Sequence, residues 1–334
     1  MASFHVAQGC GVLQTFEAMG GMQILSLAEG QTVERCIAEY QQCGLVQFAE
    51  PDYFGYLAAT PNDLYFTNGT LWGLYKIEAP AAWDELISAS NVVVAVLDTG
   101  VRYTHEDLAA NMWVNPQDGG HGWNALSPTN PPSDDSGNGH GTMVTGVLGA
   151  VGNNGKGVVG VAWQVQIMAC KCFNNKGIGT ISDCVVCMDY AWTNGARIIN
   201  ASWGFTNSAA LSNAVLSLRD AGIVVVAACG NTATNTDLEP TFPASYPLDN
   251  VVSVAATGPD DILADFSNYG ATTVHLAAPG VSISSTFVAT DSYYYTQSGT
   301  SFAAPYVTGA LALLQVKYPA ESHQEHISRL LNGA

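Results

Sequence analysis

Three polar residues in glycine-rich surroundings have the side chains that nucleophilic catalysis requires. Asp98 follows the apolar run VVVAVL, His140 lies between glycines in SGNGHGTMVTG, and Ser301 begins the apolar stretch SFAAPYVTGALALL. A serine hydroxyl is a poor nucleophile near neutral pH, so a base must take its proton as it attacks. Histidine titrates in the range that suits this base, and a carboxylate can hold its ring in one tautomer. Together these residue types would allow acyl transfer through an activated serine.

Each of the three residues also has a structural interpretation when it is considered alone. Asp98 could stabilise a turn, Ser301 could cap a helix, and His140 could be an ordinary surface histidine. We adopt the structural interpretation for the other histidines, which are His5, His105, His121, His275, His323 and His326. The chemical interpretation of the three therefore depends on where the fold places them relative to one another.

The elements that must position these residues alternate along the chain. Apolar runs predict strands at 91–98, 165–173, 196–202, 223–229, 250–257 and 273–280, and helical patterns occupy 182–195, 211–222 and 300–318. Strands that alternate with helices predict a parallel sheet covered on both faces, which is a three-layer α/β fold. Catalytic residues in such folds lie at the carboxyl ends of the strands, where Asp98 is expected.

The motifs around the three residues resemble those of a known family. DTG, HGT and GTSFAAP are similar to the three signature motifs of the subtilisin-like serine proteases (subtilases, of the thermitase type), and they occur in the same order. The resemblance covers about residues 60–320. It implies a catalytic triad of Asp98, His140 and Ser301, and it implies that Asn231, after the strand IVVVAAC, donates a hydrogen bond to the oxyanion.

A different hydrolase family has a superficially similar serine motif. The sequence GTSFA nearly matches the G-x-S-x-G turn of the α/β-hydrolases, in which the histidine follows the serine along the chain. Only His323 and His326 follow Ser301, and both lie in a polar C-terminal segment. The order of the residues therefore argues against the α/β-hydrolase interpretation.

The resemblance also implies where a substrate binds. A peptide would add as a strand between Ser202-Trp203-Gly204 and Gly177-Ile178-Gly179, with its P1 side chain between the first of these segments and Cys229-Gly230. No aspartate is placed to bind a basic side chain, so we expect apolar or aromatic P1 residues. Phe205 and Cys229 depart from the family pattern, which commonly has glycine and alanine there, and Phe205 is expected to narrow the pocket.

A calcium site is the cofactor that the resemblance implies. The glycine- and asparagine-rich loop AVGNNGKGV is similar to the calcium loop of thermitase-like subtilases. The implied ligands are the side chains of Asp63, Asp107 and Asn154 and the backbone carbonyl groups of Val151, Lys156 and Val158. Oxygen ligands on loops suit Ca²⁺ better than Mg²⁺. The alternative is a solvated loop with unrelated aspartates.

The first 58 residues differ from the rest of the chain and are expected to be a small α+β unit. They are predicted to form a strand at 22–27, a helix that is capped by Thr32 and stopped by Gly44, and a strand pair at 45–57 broken at Pro51. GLVQFAEPDY resembles the closing motif of inhibitory propeptides of the I9 type, here truncated and without the usual first strand. The resemblance divides the chain into a propeptide at 1–58 and a catalytic domain at 59–334, with cleavage between Leu57 and Thr60. The alternative is a natural form with a short N-terminal extension.

Composition limits the partners of the protein. Ten Lys and Arg against 28 Asp and Glu give a net charge of −18, which argues against binding to nucleic acid or to an anionic membrane surface. The expected partners are protein or peptide substrates and the protein's own propeptide, and the chain is expected to be a monomer. The resemblance implies secretion, although no signal peptide is visible, and the alternative is an intracellular protein.

The eight cysteines allow three interpretations. Cys170 and Cys172 would share a strand face, and Cys184 and Cys187 would be neighbours on a helix. We favour buried core thiols, and disulfides or a zinc site are the alternatives.

Two other functional classes compete with a protease. A non-catalytic peptide-binding relative would have lost a triad residue, whereas Asp98, His140, Ser301 and Asn231 are all present. An esterase would use the same chemistry, and the ratio of amide to ester turnover distinguishes it from a protease.

Overall fold

The computed structural model describes residues 1–52 and 59–334. The chain forms two compact units, Met1–Leu57 and Ala58–Ala334. Among the described residues, no helix has both the length and the apolar character that a membrane span requires. The assignment of the first 58 residues as a propeptide stays a prediction, and the proposed cleavage segment lies partly at 53–58, outside the described residues.

The smaller unit combines two helices with one hairpin. Its elements are α1 (Ala2–Ala7), β1 (Gly11–Phe16), β2 (Met22–Ser26) and α2 (Val33–Gln42). The strands pair antiparallel, with Gly11 opposite Ser26. As predicted, the hydroxyl of Thr32 caps α2 by accepting from the Arg35 N–H, and Gly44 follows the helix with a φ of 67°.

The structure of the smaller unit differs from the sequence prediction in two places. Sequence analysis did not predict β1, because five of its six residues are exposed and so no alternation of burial marks it in the sequence. No strand forms at 45–52, and the rest of the predicted strand pair lies outside the described residues. Leu45 and Phe48 are exposed, and Pro51 has no N–H to donate to a neighbouring strand.

The larger unit contains a seven-stranded sheet. In spatial order the strands are β4 (Gly122–Asn124), β5 (Gln164–Lys171), β3 (Ser88–Asp98), β6 (Ile198–Ala201), β7 (Val224–Ala228), β8 (Val251–Thr257) and β9 (Leu276–Pro279). All six neighbouring pairs are parallel. A separate antiparallel hairpin joins β10 (Ile283–Thr286) and β11 (Tyr294–Gln297).

Helices cover both faces of this sheet. They are α3 (Leu64–Thr67), α4 (Trp72–Lys76), α5 (Ala79–Glu85), α6 (His140–Gly149), α7 (Ile181–Thr193), α8 (Ala209–Asp220), α9 (Thr300–Lys317) and α10 (His323–Asn332). Alternate residues of β3 point to opposite faces: Val94 and Val96 join the core of α6 and α9, whereas Ala95 and Leu97 join the core of α7 and α8. The predicted three-layer α/β fold is confirmed.

The eight cysteines are free thiols in this structure, and seven of them are buried. Cys170 on β5, Cys172 just after it, and Cys184 and Cys187 on α7 belong to the same apolar core, between the sheet and its helices. They are therefore packed as core side chains.

Candidate active site

Asp98 and His140 meet at the carboxyl end of β3. Asp98 is the last residue of that strand and is 2% exposed. The His140 Nδ1 atom lies 2.8 Å from Asp98 Oδ1 and 2.9 Å from Oδ2. An ionised carboxylate can only accept, so Nδ1 carries the proton and donates it, which leaves Nε2 as the basic nitrogen. The Thr99 N–H donates to Oδ1 at 2.7 Å and holds the carboxylate in place.

Glycine makes this contact possible. His140 is the first residue of α6, and the preceding Gly139 has a φ of 57°, which favours glycine. A Cβ atom on Gly141 would clash with the Gly100 carbonyl oxygen and would lie 3.0 Å from the Asp98 Cβ. The backbone of α6 therefore packs directly against the end of β3, and the glycines around His140 are needed for that approach.

Two carboxylates raise the pKa of His140. Burial alone lowers this pKa, but the charge of Asp98, its hydrogen bond and the charge of Asp134 outweigh burial, so that the pKa lies above its ordinary value. Asp134 accepts from the Thr142 N–H at 3.0 Å and from the Thr142 hydroxyl at 2.7 Å. Sequence analysis missed Asp134, because the loop before α6 carries several polar residues and nothing in their spacing distinguishes it.

Ser301 lies in the first turn of α9 and is 8% exposed. Its hydroxyl donates to the Ser202 carbonyl at 3.1 Å, and the Ser202 hydroxyl donates to the Ser301 carbonyl at 2.8 Å. The ring of Phe302, the next residue, lies 5.7 Å from the His140 ring between centroids. The structure therefore packs the residue after Ser301 against the His140 ring, and it links Ser301 itself to the segment after β6.

Asn231 is held with its amide nitrogen free to donate. Its Oδ1 accepts from the Thr300 N–H at 2.8 Å and from the Thr300 hydroxyl at 2.9 Å. Both neighbours are donors, so the side-chain oxygen faces them and the NH₂ group faces away. Thr300 Oγ1 also accepts from the Gly230 N–H at 3.2 Å. Thr300 thus orients Asn231, a role that sequence analysis missed because the two residues are distant in the chain.

An aromatic cluster connects the two predicted substrate segments. The Phe173 ring lies 5.8 Å from the Trp203 ring and 6.0 Å from the Phe205 ring. A Cβ atom on Gly179 would lie 2.9 Å from the Phe173 ring, so the Gly177–Gly179 segment packs against the same ring. Ile178 is 62% exposed, and its neighbour Gly177 has a φ of 72°. Sequence analysis did not identify Phe173 as the residue that joins these segments.

Contacts within the protein explain two further residues of the predicted pocket, Gly204 and Cys229. A side chain on Gly204 would clash with the Thr241 methyl group, so packing already requires glycine at this position. Cys229 is fully buried and its thiol donates to the Asn268 carbonyl at 3.2 Å. Burial raises the pKa of Cys229 to about 11, so it is a neutral thiol rather than a reactive thiolate.

The predicted calcium ligands come together at one loop. Asp63 and Asp107 are both fully buried. Asp107 accepts from the Asn154 amide at 2.8 Å and from the Val158 N–H at 3.0 Å. The Val151 N–H donates to the Asp107 carbonyl at 2.8 Å. The loop thus wraps around the Asp107 side chain.

The chemistry of this donor set fits a hard cation. Burial raises the pKa of Asp63, and the charge of Asp107 raises it further. In the described part of the chain, neither carboxylate forms an ion pair with Lys, Arg or His, and Lys156 instead lies 3.3 Å from Glu106. Two buried negative charges that face one loop without a positive partner favour an ion with oxygen ligands.

Two observations qualify the predicted ligand set. Within residues 1–52 and 59–334, no three His, Cys, Asp or Glu side chains are grouped as metal ligands, so a site here depends on amide and backbone oxygens. Two predicted oxygen ligands already accept hydrogen bonds: the Lys156 carbonyl from the Leu64 N–H at 2.6 Å, and the Asn154 side-chain oxygen from the Lys156 N–H at 2.9 Å. Tyr294, which sequence analysis missed, donates to Asp107 at 2.7 Å and orients this carboxylate.

Comparisons with known proteins identify the family of this chain. The subtilase family profile matches residues 89–334. The chain is 40% identical over 283 residues to the thermophilic serine proteinase of Bacillus sp. (strain AK1), covering 84% of this chain and 66% of that protein. It is 40% identical over 256 residues to thermitase of Thermoactinomyces vulgaris, covering 76% and 85%. Its fold matches the crystal structure of a cold adapted subtilisin-like serine proteinase with a TM-score of 0.63 and 30% identity, over 73% of this chain and 82% of that one.

Proposed function

This chain belongs to the subtilase family of serine endopeptidases, and we propose that it hydrolyses peptide bonds through a triad of Asp98, His140 and Ser301. The observation that carries the proposal is the contact of His140 Nδ1 with both carboxylate oxygens of Asp98, beside a helix that begins at Thr300-Ser301. The proposal is further supported by the basic Nε2 atom that this contact leaves on His140, and by the Ser301 hydroxyl, whose hydrogen bond goes to the Ser202 backbone carbonyl.

The reaction begins when the Ser301 hydroxyl exchanges the Ser202 carbonyl for His140 Nε2. His140 takes the proton as Oγ attacks the peptide carbonyl, and Asp98 stabilises the imidazolium that forms. His140 then gives this proton to the leaving amine, and an acyl-enzyme remains. A water molecule, activated by the same histidine, hydrolyses the ester and restores Ser301.

Asn231 supplies the hydrogen bond that stabilises the oxyanion. Its NH₂ group has no role in holding the side chain, because Thr300 binds only the amide oxygen. A donor that is fixed before the reaction stabilises the developing charge without reorganisation. Thr300 is therefore a positioning residue for this donor.

The substrate is proposed to be a protein segment that binds as an extended strand beside Ser202–Gly204 and Gly177–Gly179. The aromatic rings of Phe173, Trp203 and Phe205 line the region between these segments and supply apolar surface. This supports a preference for apolar or aromatic P1 residues. A series of peptide amides that differ only at P1 tests it, and faster cleavage after Lys or Arg would contradict it.

We further propose that Ca²⁺ stabilises the larger unit. Asp63, Asp107 and Asn154 would hold the ion through side-chain oxygens, with backbone carbonyl groups of the same loop, namely those of Val151, Lys156 and Val158. The bound cation would compensate the buried charges of the two aspartates. It takes no part in the hydrolysis.

The first 58 residues are proposed to act as an intramolecular inhibitor that the enzyme removes. The proposal rests on the similarity of GLVQFAEPDY to the end of I9-type propeptides. Secretion and a monomeric state belong to the same proposal, and fractionation of cells and medium and sedimentation of the purified chain test them.

Intact-mass spectrometry of the wild type and of Ser301→Ala, incubated with calcium, tests the triad and the processing together. We expect the wild type to lose about its first 58 residues and Ser301→Ala to remain intact, because loss of the nucleophile lowers turnover by about a million-fold. A peptide-amide assay on the same samples accompanies it. An unprocessed wild type that also cleaves no amide would contradict the proposal, and ester cleavage without amide cleavage would indicate an esterase.

A further inference from the structure

Two thiols lie in contact at the centre of the smaller unit. The Cys10 and Cys36 sulfur atoms are 3.8 Å apart, and the two residues are 7% and 6% exposed. Together with Tyr40 they are the buried hydrophobic residues of this core. Thiols also lie close together in the larger unit, where Cys187 contacts Cys170 and Cys172, but there they are part of a large apolar core.

The two cysteines belong to different elements. Cys10 directly precedes β1, and Cys36 lies in the first turn of α2. A bond between them would therefore fasten the hairpin to the helix that packs on it. The other buried polar link of this core is the hydrogen bond of 2.7 Å between His5 and Tyr40, which fastens α1 to α2. A unit of this size has little apolar area to bury and gains much from a covalent link.

We propose that Cys10 and Cys36 are a modification site: a dithiol that a low-molecular-weight disulfide, such as oxidised glutathione, converts to a protein disulfide. One cysteine thiolate attacks the small disulfide, which forms a mixed disulfide and releases one small thiolate. The second cysteine thiolate attacks the protein sulfur of that mixed disulfide and releases the other. Two protein thiols are oxidised, one small disulfide is reduced to two thiols, and the two protons pass to the released thiolates or to solvent.

The closed loop constrains the unfolded unit. For a loop of this length, a disulfide shifts the folding equilibrium by about 30- to 1,000-fold toward the folded state. Burial, followed by the contact with Cys10, raises the pKa of Cys36 to about 11. Cys36 is therefore mainly a neutral thiol near neutral pH, and an oxidant is needed to join it to Cys10.

A regulatory consequence rests on the proposed function of the smaller unit as an inhibitor. If the unit must unfold to be released, oxidation slows maturation and reduction restores it. The disulfide itself does not depend on this function.

The sequence makes the cross-link easy to detect. Arg35 is the one Lys or Arg before Lys76, so trypsin places Cys10 in the peptide 1–35 and Cys36 in the peptide 36–76. Cys43 lies in the second peptide and is half-buried. The variant Cys43→Ser is therefore the matched control, because it keeps the proposed pair and removes the competing thiol.

The test uses full-length Ser301→Ala, which cannot process itself, treated with oxidised glutathione or with dithiothreitol, alkylated in denaturant and digested without reduction. We expect the oxidised sample to contain the two peptides joined, with two fewer alkyl groups, and we expect the same result in Cys43→Ser but not in Cys36→Ser. Separate peptides after oxidation, or a link that is lost in Cys43→Ser, would overturn the proposal.

Hydrogen exchange measures whether the disulfide stabilises the smaller unit. It compares the oxidised and the reduced forms of one chain, so no cysteine variant has to fold. Exchange at 1–52 in the oxidised chain is expected to slow by at least about 30-fold relative to the reduced chain. Equal exchange in a chain shown to be cross-linked would overturn the stabilising role. Processing of the wild type with and without dithiothreitol then tests the regulation. Equal processing rates would refute the regulatory consequence alone. If neither sample is processed, the proposed function of the smaller unit is refuted, but the disulfide is not.

Discussion

Every residue of β7 in the larger unit is buried, whereas five of the six residues of β1 in the smaller unit are exposed. The larger unit has a core on each face of a parallel sheet, and the smaller unit has a core of Cys10, Cys36 and Tyr40. The free energy of unfolding grows with the apolar area that folding buries. One side chain is therefore a small part of what stabilises the larger unit and a large part of what stabilises the smaller one.

This difference affects where function can be placed. In the larger unit, Asp98 and Thr300 are buried polar residues that form hydrogen bonds with their neighbours. The large apolar core offsets the free-energy cost of burying such polar groups at the active site. The smaller unit has no core of this size, so we expect changes there to act on folding, and changes at the active site of the larger unit to act on turnover.

The largest effect is expected for Asn231→Leu. Loss of the oxyanion donor removes about 3–4 kcal/mol of transition-state stabilisation and lowers kcat by about 100- to 1,000-fold. The melting temperature should stay close to that of the wild type, because Asn231 is exposed. Steady-state kinetics and calorimetry on the same sample check both. Turnover within threefold of the wild type would contradict the assignment, and a collapse of stability would break the comparison between the units.

Calcium removal is expected to affect the larger unit alone. Without the cation, the buried charges of Asp63 and Asp107 repel each other, and we expect EDTA to lower the melting temperature by about 5–10 °C. Calorimetry of Ser301→Ala with calcium and with EDTA measures this. Asp63→Asn serves as the control: its melting temperature should already be low with calcium present, and EDTA should change that temperature little. If the protein with an unchanged site melts at the same temperature with calcium and with EDTA, the calcium site is wrongly assigned.

A hydroxyl deletion compares the two cores directly. Tyr40→Phe removes the hydrogen-bond partner of the buried His5 Nδ1 atom and should destabilise the smaller unit by about 1–3 kcal/mol. In the larger unit, Tyr246→Phe removes a bond of 2.9 Å to the Ser208 carbonyl and serves as the matched change. Hydrogen exchange should increase throughout 1–52 for the first variant and only locally for the second. Equal, local responses would show that the smaller unit is more stable than its core suggests.

The smallest effect concerns the pH dependence of turnover. His140 acts as a base only when neutral, and its raised pKa means that activity falls as the pH decreases through a value above the ordinary one. Asp134→Asn removes one of the charges that raise this pKa, so the acid limb of kcat/KM should move to lower pH by less than about one unit. Asp220→Asn, an exposed change on α8, is the control. If the acid limb of kcat/KM does not move, or moves to higher pH, Asp134 does not raise the pKa of His140.

The parts of the molecule that the sequence predicted are those with a regular physical pattern. Apolar runs such as the one before Asp98 identified the buried strands, because a strand covered on both faces is apolar throughout. Resemblance in three short motifs supplied the candidate triad, and resemblance in two further segments supplied Asn231 and the loop around Asp107.

Other parts depend on contacts that no local pattern records. Thr300, Asp134 and Tyr294 act through residues that are remote in the chain, and Phe173 joins two segments only after folding. No strand forms at 45–52, where Val46 and Ala49 pack against the small core while Leu45 and Phe48 stay exposed. Prediction fails where tertiary neighbours decide the outcome.

The packing of Gly141 against the end of β3 has a consequence for how the enzyme responds to heat. The separation of Asp98 from His140 is set by two backbones in direct contact, and a backbone contact has no alternative rotamers through which it can relax gradually. Nine of the ten residues of α6 are buried, so the helix cannot shift without opening the core. The catalytic geometry is therefore either intact or lost with the whole unit, and on warming, inactivation and unfolding will coincide in a single transition.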